Sequence, residues 1–150
     1  MREESSQLGS TLEFMRLLWS LAHGMQSRSK RMETSLGVTG PQRLVLRILG
    51  RTPGTTAGAL ARAMFVHPST LTGVLRRLEE RGLLERKKDS IDGRKALLTL
   101  TAAGRKLDSQ QAGTVEAAVR RTLARLNEDE VEIFRKVLAA LVDELARTDR

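Results

Sequence analysis

Ser69, Thr70 and Thr72, followed by Arg76 and Arg77, place three hydroxyls and two guanidiniums on a stretch where Leu71, Val74, Leu75 and Leu78 recur at helical spacing. Those four apolar residues mark the inner face of a helix over 68–81. Its outer face is then Ser69, Thr70, Thr72, Gly73, Arg76 and Arg77. Hydroxyls and guanidiniums displayed in this way make reversible hydrogen bonds, and a guanidinium matches a phosphate or a guanine edge with two parallel donors. Further along, Lys87 and Lys88 precede Asp92-Gly93-Arg94-Lys95, a second basic cluster around an Asp-Gly turn signal. The chemistry on offer is recognition of a polyanion.

Catalysis is not expected. The chain has no cysteine and only two histidines, His23 and His67, which removes thiol chemistry, disulfides and thiolate metal sites and leaves too few imidazoles for a zinc cluster to be expected. There is no G-x-S-x-G elbow, phosphate loop, Rossmann glycine set or metal-ligand spacing, so no cofactor is expected. No apolar run approaches the ~20 residues that span a bilayer. The start, Met1-Arg2-Glu3-Glu4, lacks the basic-then-apolar order of a signal peptide. A cytoplasmic protein with no membrane partner is the expectation.

Net charge is +8, and residues 43–106, with 14 basic against 5 acidic side chains, carry more than all of it. A basic segment of that kind is the electrostatic footprint of a protein that neutralises phosphates. At 150 residues with 3 % aromatics, the core must be built from Leu, Val, Ala and Met, a composition that favours helices.

These side chains need elements to hold them. A helix is expected from about Leu8 to Met32, with Phe14, Leu17, Leu18, Leu21 and Met25 in its stripe and Met15, Trp19 and Ala22 widening it. Thr39-Gly40-Pro41 marks the next helix start, with Leu44, Val45, Ile48 and Leu49 inward and an end over Gly50–Gly54. Thr55 or Thr56 caps a short helix to Met64, and Phe65-Val66-His67 is the turn before the helix Pro68–Arg81, which Gly82 closes. Ser69 can cap the first turn of that helix. Leu83–Lys87 and Ala96–Leu100 read as two strands around a polar tip in which Gly93 supplies a positive φ. Thr101 opens a long helix to Leu126, and Asn127 caps a last one carrying Val131, Phe134, Leu138, Leu141 and Leu145. The order helix, turn, helix, charged hairpin is a winged helix-turn-helix, and DNA binding is the first functional expectation. The apolar stripes of the first and last helices exceed what one small domain covers, so a homodimer built from them is expected.

The Ser69-Thr70-Leu71-Thr72 run, Leu78-Glu79-Glu80-Arg81-Gly82-Leu83-Leu84-Glu85-Arg86, and Asp92-Gly93-Arg94-Lys95 leading into Leu98-Thr99-Leu100-Thr101-Ala102-Ala103-Gly104 resemble the multiple antibiotic resistance regulator (MarR) family over nearly the whole chain. The resemblance implies a mainly α fold with a small β-hairpin wing, arranged as one domain over 1–150. Residues 8–33 and 101–148 would form dimerisation helices and 41–100 the DNA-binding lobe. It implies a dimeric repressor on a palindromic double-stranded operator, released by a small anionic or phenolic effector. The helix Pro68–Arg81 would enter the major groove, with Arg94 reaching the adjacent minor groove. Pro68, Ser69, Thr70, Thr72, Gly73, Arg76, Arg77, Lys87, Lys88, Asp92, Arg94 and Lys95 form the expected DNA-binding set. Asp92 either aims Arg94 through an ion pair or serves as an ordinary turn residue, and the two roles are compatible. Gly73 and Arg76 depart from the basic and acidic residues that many relatives carry there, so operator bases do not transfer. For the effector, Trp19 and His23 share a helix face, with Arg16 and Arg43 able to reach inward; core packing for Trp19 and a satisfied His23 is the competing reading. The main functional alternative is a winged-helix adaptor or antirepressor that works through protein contacts.

Overall fold

The computed structural model describes the backbone of residues 2–147 and the side chains of 9–147. Thr148, at the end of the expected dimerisation region, lies outside the described residues. Among the described residues, seven helices and three short strands follow in the order α1 (Arg2–Leu36), α2 (Gly40–Arg51), β1 (Thr55–Thr56), α3 (Ala57–Ala63), α4 (Pro68–Glu80), β2 (Leu84–Lys88), β3 (Ala96–Leu100), α5 (Ala102–Ser109), α6 (Val115–Leu123) and α7 (Glu128–Ala146). The chain divides into two compact units, one reaching to Val115 and one beginning at Glu116. No helix among the described residues is long and apolar enough to cross a membrane.

In the first unit the core is Val38, Val45, Leu46, Leu49, Leu60, Leu71, Leu75, Leu78, Leu84 and Leu98, all but absent from the surface. Each such side chain contributes roughly 1.5–3 kcal/mol when removed from water. The α2 start is a full capping box: Thr39 Oγ1 accepts from Gln42 N, and Gln42 Oε1 accepts from Thr39 N at 3.0 Å. The sheet order is β1-β3-β2, with Thr55 opposite Leu98 and Leu84 opposite Leu100. The strand β1 is additional to the expected elements; its second threonine also caps α3, where Thr56 Oγ1 accepts from Ala59 N at 3.2 Å.

Several boundaries differ from expectation. The first helix spans Arg2–Leu36, interrupted at Gly9, whose φ of 72° and ψ of 156° are non-helical. Helix α2 extends to Arg51 because Gly50 remains helical. The first wing strand starts at Leu84, since Leu83 is in the turn that closes α4. Gly93 does not have positive φ. The tip is held instead by aspartates: Asp89 Oδ1 accepts from Ile91 N at 2.9 Å and Asp92 Oδ1 from Arg94 N at 3.2 Å.

The largest difference is the helix expected from Thr101 to Leu126, which is two helices separated by residues 110–114. Gln110 is extended and Gly113 has φ 75°. Buried Arg43 explains the stop: its guanidinium donates to the carbonyls of Leu107 at 2.6 Å, Asp108 at 3.2 Å and Gln110. Carbonyls at the end of a helix lack partners, and here a side chain supplies them. Arg47 adds a 2.8 Å ion pair to Asp108 Oδ1.

In the second unit, α7 starts with the expected cap, as Asn127 Oδ1 and Glu130 Oε2 each accept from the other's backbone N–H at 2.9 Å. Glu128, Asp129 and Glu130 occupy its first turn, where negative charge complements the helix dipole. Hydrogen bonds from Arg135 hold the Glu132 carboxyl below its ordinary value.

Candidate nucleic-acid interface

The turn between α3 and α4 and the two ends of α4 determine where the outward side chains stand. Leu71, Leu75 and Leu78 are buried and anchor the inner face of α4. Pro68, Ser69, Thr70, Thr72, Arg76 and Arg77 are exposed, and Gly73 is partly so. A Cβ built on Gly73 meets no atom within 4 Å, so no packing inside the chain requires the glycine. Arg76 makes only a loose 3.8 Å contact with Glu80, leaving its side chain 71 % exposed. All six residues assigned from the sequence to the outer face of α4 are therefore on one open surface.

The cap of α4 is His67, not Ser69. His67 Nδ1 accepts from Ser69 N at 3.2 Å and lies 2.7 Å from Ser69 Oγ. A histidine is not among the usual capping residues, but its Nδ1 is placed much as an asparagine oxygen is, and the following Pro68 is the sequence signal that a cap precedes it. At the other end, Gly82 N donates to Glu79 O and Leu83 N to Leu78 O, at 2.8 and 2.9 Å, with Gly82 at φ 65°. This is the Schellman closure expected of a glycine past a helix end.

The wing is tied to this helix by Arg86 Nε, which donates to Glu79 Oε1 at 2.6 Å. Its charge is carried outward by Lys87, Lys88, Arg94 and Lys95, all exposed. Lys87 pairs with Glu85 at 3.1 Å. Asp92 Oδ1 accepts from Arg94 N and from Arg94 Nε, each at 3.2 Å, so one carboxylate both closes the turn and pairs with the guanidinium. The Arg94 side chain is nevertheless 94 % exposed, a guanidinium held through Nε and open to solvent. Beside it at the tip stands Ile91, 96 % exposed, an apolar group that charge and periodicity arguments passed over.

The four residues considered for an effector are not presented alike. Arg16, Trp19 and His23 are exposed on α1, with Trp19 at 72 %. Core packing of Trp19 within one chain is thus not observed. Arg43 is buried, and the carbonyls at the end of α5 engage its guanidinium. Among the described residues, no three His, Asp or Glu side chains are grouped to hold a metal ion.

Comparison with known proteins agrees with this architecture. Residues 38–96 match the MarR family model. The chain is 39 % identical over 106 residues to the HTH-type transcriptional repressor Rv2887 of Mycobacterium tuberculosis, covering 71 % of this chain and 76 % of that protein. Among solved structures, the transcription regulator MarR from Oenococcus oeni superposes with a TM-score of 0.78 at 26 % identity, over 87 % of this chain and 98 % of that one. Rv2887 in complex with salicylic acid superposes with a TM-score of 0.55 at 34 % identity, over 83 % and 93 %. A buried three-helix core, a recognition-type helix closed at both ends and a basic wing thus coincide with sequence identity across most of the length, and the chain belongs to the MarR family of transcription regulators.

Proposed function

We propose that the protein acts as a homodimeric repressor on a palindromic double-stranded DNA operator, with α4 in the major groove and Arg94 in the adjacent minor groove. The observation that carries this reading is the open row Ser69, Thr70, Thr72, Arg76 and Arg77 on α4 together with Arg94, whose guanidinium Asp92 holds through Nε while the side chain stays exposed. An α-helix fits the major groove, and a narrow minor groove concentrates the negative potential that draws in an arginine. Lys87, Lys88 and Lys95 supply phosphate contacts that position the protein without reading sequence. The relative named a transcriptional repressor supports the sign of regulation.

Residues 41–100 then serve as the DNA-binding lobe, and α1 with the helices after Thr101 as the dimerisation region. Supporting this are the apolar side chains left uncovered on α1 and on α7. Release by a small anionic or phenolic effector is supported by the complex of Rv2887 with salicylic acid. Trp19, His23 and Arg16 are the side chains free to take part from α1.

Selection of bound fragments from a genomic DNA pool, with solution mass recorded on the same sample, tests the proposal. The expected result is an enriched palindrome with half-sites about one helical turn apart, ~10 bp, bound by a dimer. A folded dimer that enriches no sequence would overturn it in favour of a winged-helix adaptor.

A further inference from the structure

Two of the hydroxyls on the outer face of α4 stand against an acceptor within the chain. Ser69 N–H points at His67 Nδ1 at 3.2 Å, and an imidazole nitrogen can accept only when it carries no hydrogen. Ser69 Oγ lies 2.7 Å from that same nitrogen, and in the tautomer that carries its hydrogen on Nε2, the one the Ser69 N–H contact requires, the hydrogen between them is the serine's. Thr72 Oγ1 lies 3.0 Å from the carbonyl oxygen of Pro68, which can only accept, so Thr72 donates there. What both side chains turn outward is oxygen lone pairs alone. Thr70 differs: its hydroxyl has no partner among the described residues and keeps its proton.

We propose that Ser69 and Thr72 are acceptor-only readers that select an amino base, adenine or cytosine, over a keto base, guanine or thymine, on the strand each faces. His67 is the positioning residue that sets this polarity for Ser69. The inference rests on the reading of α4 as the major-groove element. In that groove adenine N6 and cytosine N4 donate, whereas guanine O6 and N7 and thymine O4 accept. A hydroxyl with a free proton pairs with either class. One whose proton is already spent sets lone pair against lone pair at a keto base, and at a phosphate as well. Arg76 and Arg77 are the complement, since a guanidinium only donates and therefore suits guanine or phosphate.

The test uses the selected operator and single-base variants of it in anisotropy titrations at fixed salt. The wild-type protein is expected to prefer adenine or cytosine by about tenfold at two positions of each half-site, a typical effect of one mismatched pair. Ser69→Ala should flatten the preference at one position and Thr72→Val at the other. His67→Ala, which returns the proton to Ser69, should abolish the preference at the Ser69 position. His67→Asn, whose side-chain oxygen can accept the same hydrogens, should restore it. A preference that survives Ser69→Ala and Thr72→Val, or a loss that is equal on all sequences, would overturn the inference. Arg76→Ala separates this from the parent reading: if it removes operator recognition while the amino preference survives Ser69→Ala and Thr72→Val, only the hydroxyl assignment fails. If neither it nor the hydroxyl variants alter operator binding, α4 is not the reading element and both fail.

Discussion

Gly73 stands mid-helix on the outer face of α4 with nothing in the chain near the position of a Cβ and with φ in the ordinary range. In that setting alanine is the better residue by roughly 1 kcal/mol. Gly73→Ala is therefore predicted to raise thermal stability. If the glycine admits DNA to close approach, the same change lowers operator affinity by tenfold or more. Calorimetry and a DNA titration on one preparation decide it: a gain in Tm with unchanged affinity would make Gly73 a tolerated small residue. Arg94 and Lys88 give a second contrast. Only Arg94 is aimed by a carboxylate, so Arg94→Ala should weaken operator binding far more than Lys88→Ala, and equal losses would count against the minor-groove assignment. The outward positions of α4 and the Asp92–Arg94 pair were legible because period and turn chemistry are local. His67 as cap was not legible, because its role depends on a rotamer and a tautomer that no spacing reports.

Helix α3 ends as α4 does, with Phe65 N donating to Arg62 O and Val66 N to Ala61 O at 3.2 and 3.1 Å, but Phe65 holds the place that Gly82 holds in α4. Its φ of 54° is left-handed, which costs a side-chain-bearing residue about 1–2 kcal/mol. The ring is 72 % exposed and returns little by burial. Phe65→Gly is predicted to raise stability by about 0.5–1 kcal/mol in chemical denaturation, after the backbone entropy of glycine is subtracted; a loss of stability would show that the ring is covered in solution. Gly104 is the opposite case. A Cβ there would lie 2.0 Å from Leu83 O, the carbonyl that also accepts from Thr101 N. Gly104→Ala should destabilise by about 1–3 kcal/mol as the α5 start is pushed off the closing turn of α4. Measured stability equal to wild type would mean that the junction has slack. This contact is the physical content of the Leu-Thr-x-x-Gly run seen in the sequence, whereas the break between α5 and α6 escaped periodicity because a distant arginine makes it.

Across the whole molecule, apolar side chains remain uncovered where a second copy is proposed to sit. On α1, Phe14, Leu17, Trp19, Leu21 and Met25 are each at least half exposed, and on α7 Ile133, Val137 and Leu145 are as well. Soluble proteins seldom leave such stretches open. Glutamates at Leu17 and Leu21 should shift the solution mass from dimer to monomer while the buried core of the first unit stays folded; a dimer that survives them would place the interface elsewhere. The charge of residues 43–106 predicts steep salt dependence, with log K falling by about 0.9 per neutralised phosphate for each tenfold rise in salt. The fold class and the charged lobe could be read from sequence because they follow from composition and period. The division at Val115 could not, since it depends on contacts between segments remote in the chain. Whether α4 and the wing form the DNA-reading surface is decided by titrating the selected operator and an unrelated duplex with wild-type protein and the Arg76→Ala/Arg94→Ala double variant. The variant should keep the wild-type mass and melting profile but lose the distinction between the two duplexes. A variant that still prefers the operator as strongly as wild type would contradict that role for α4 and the wing.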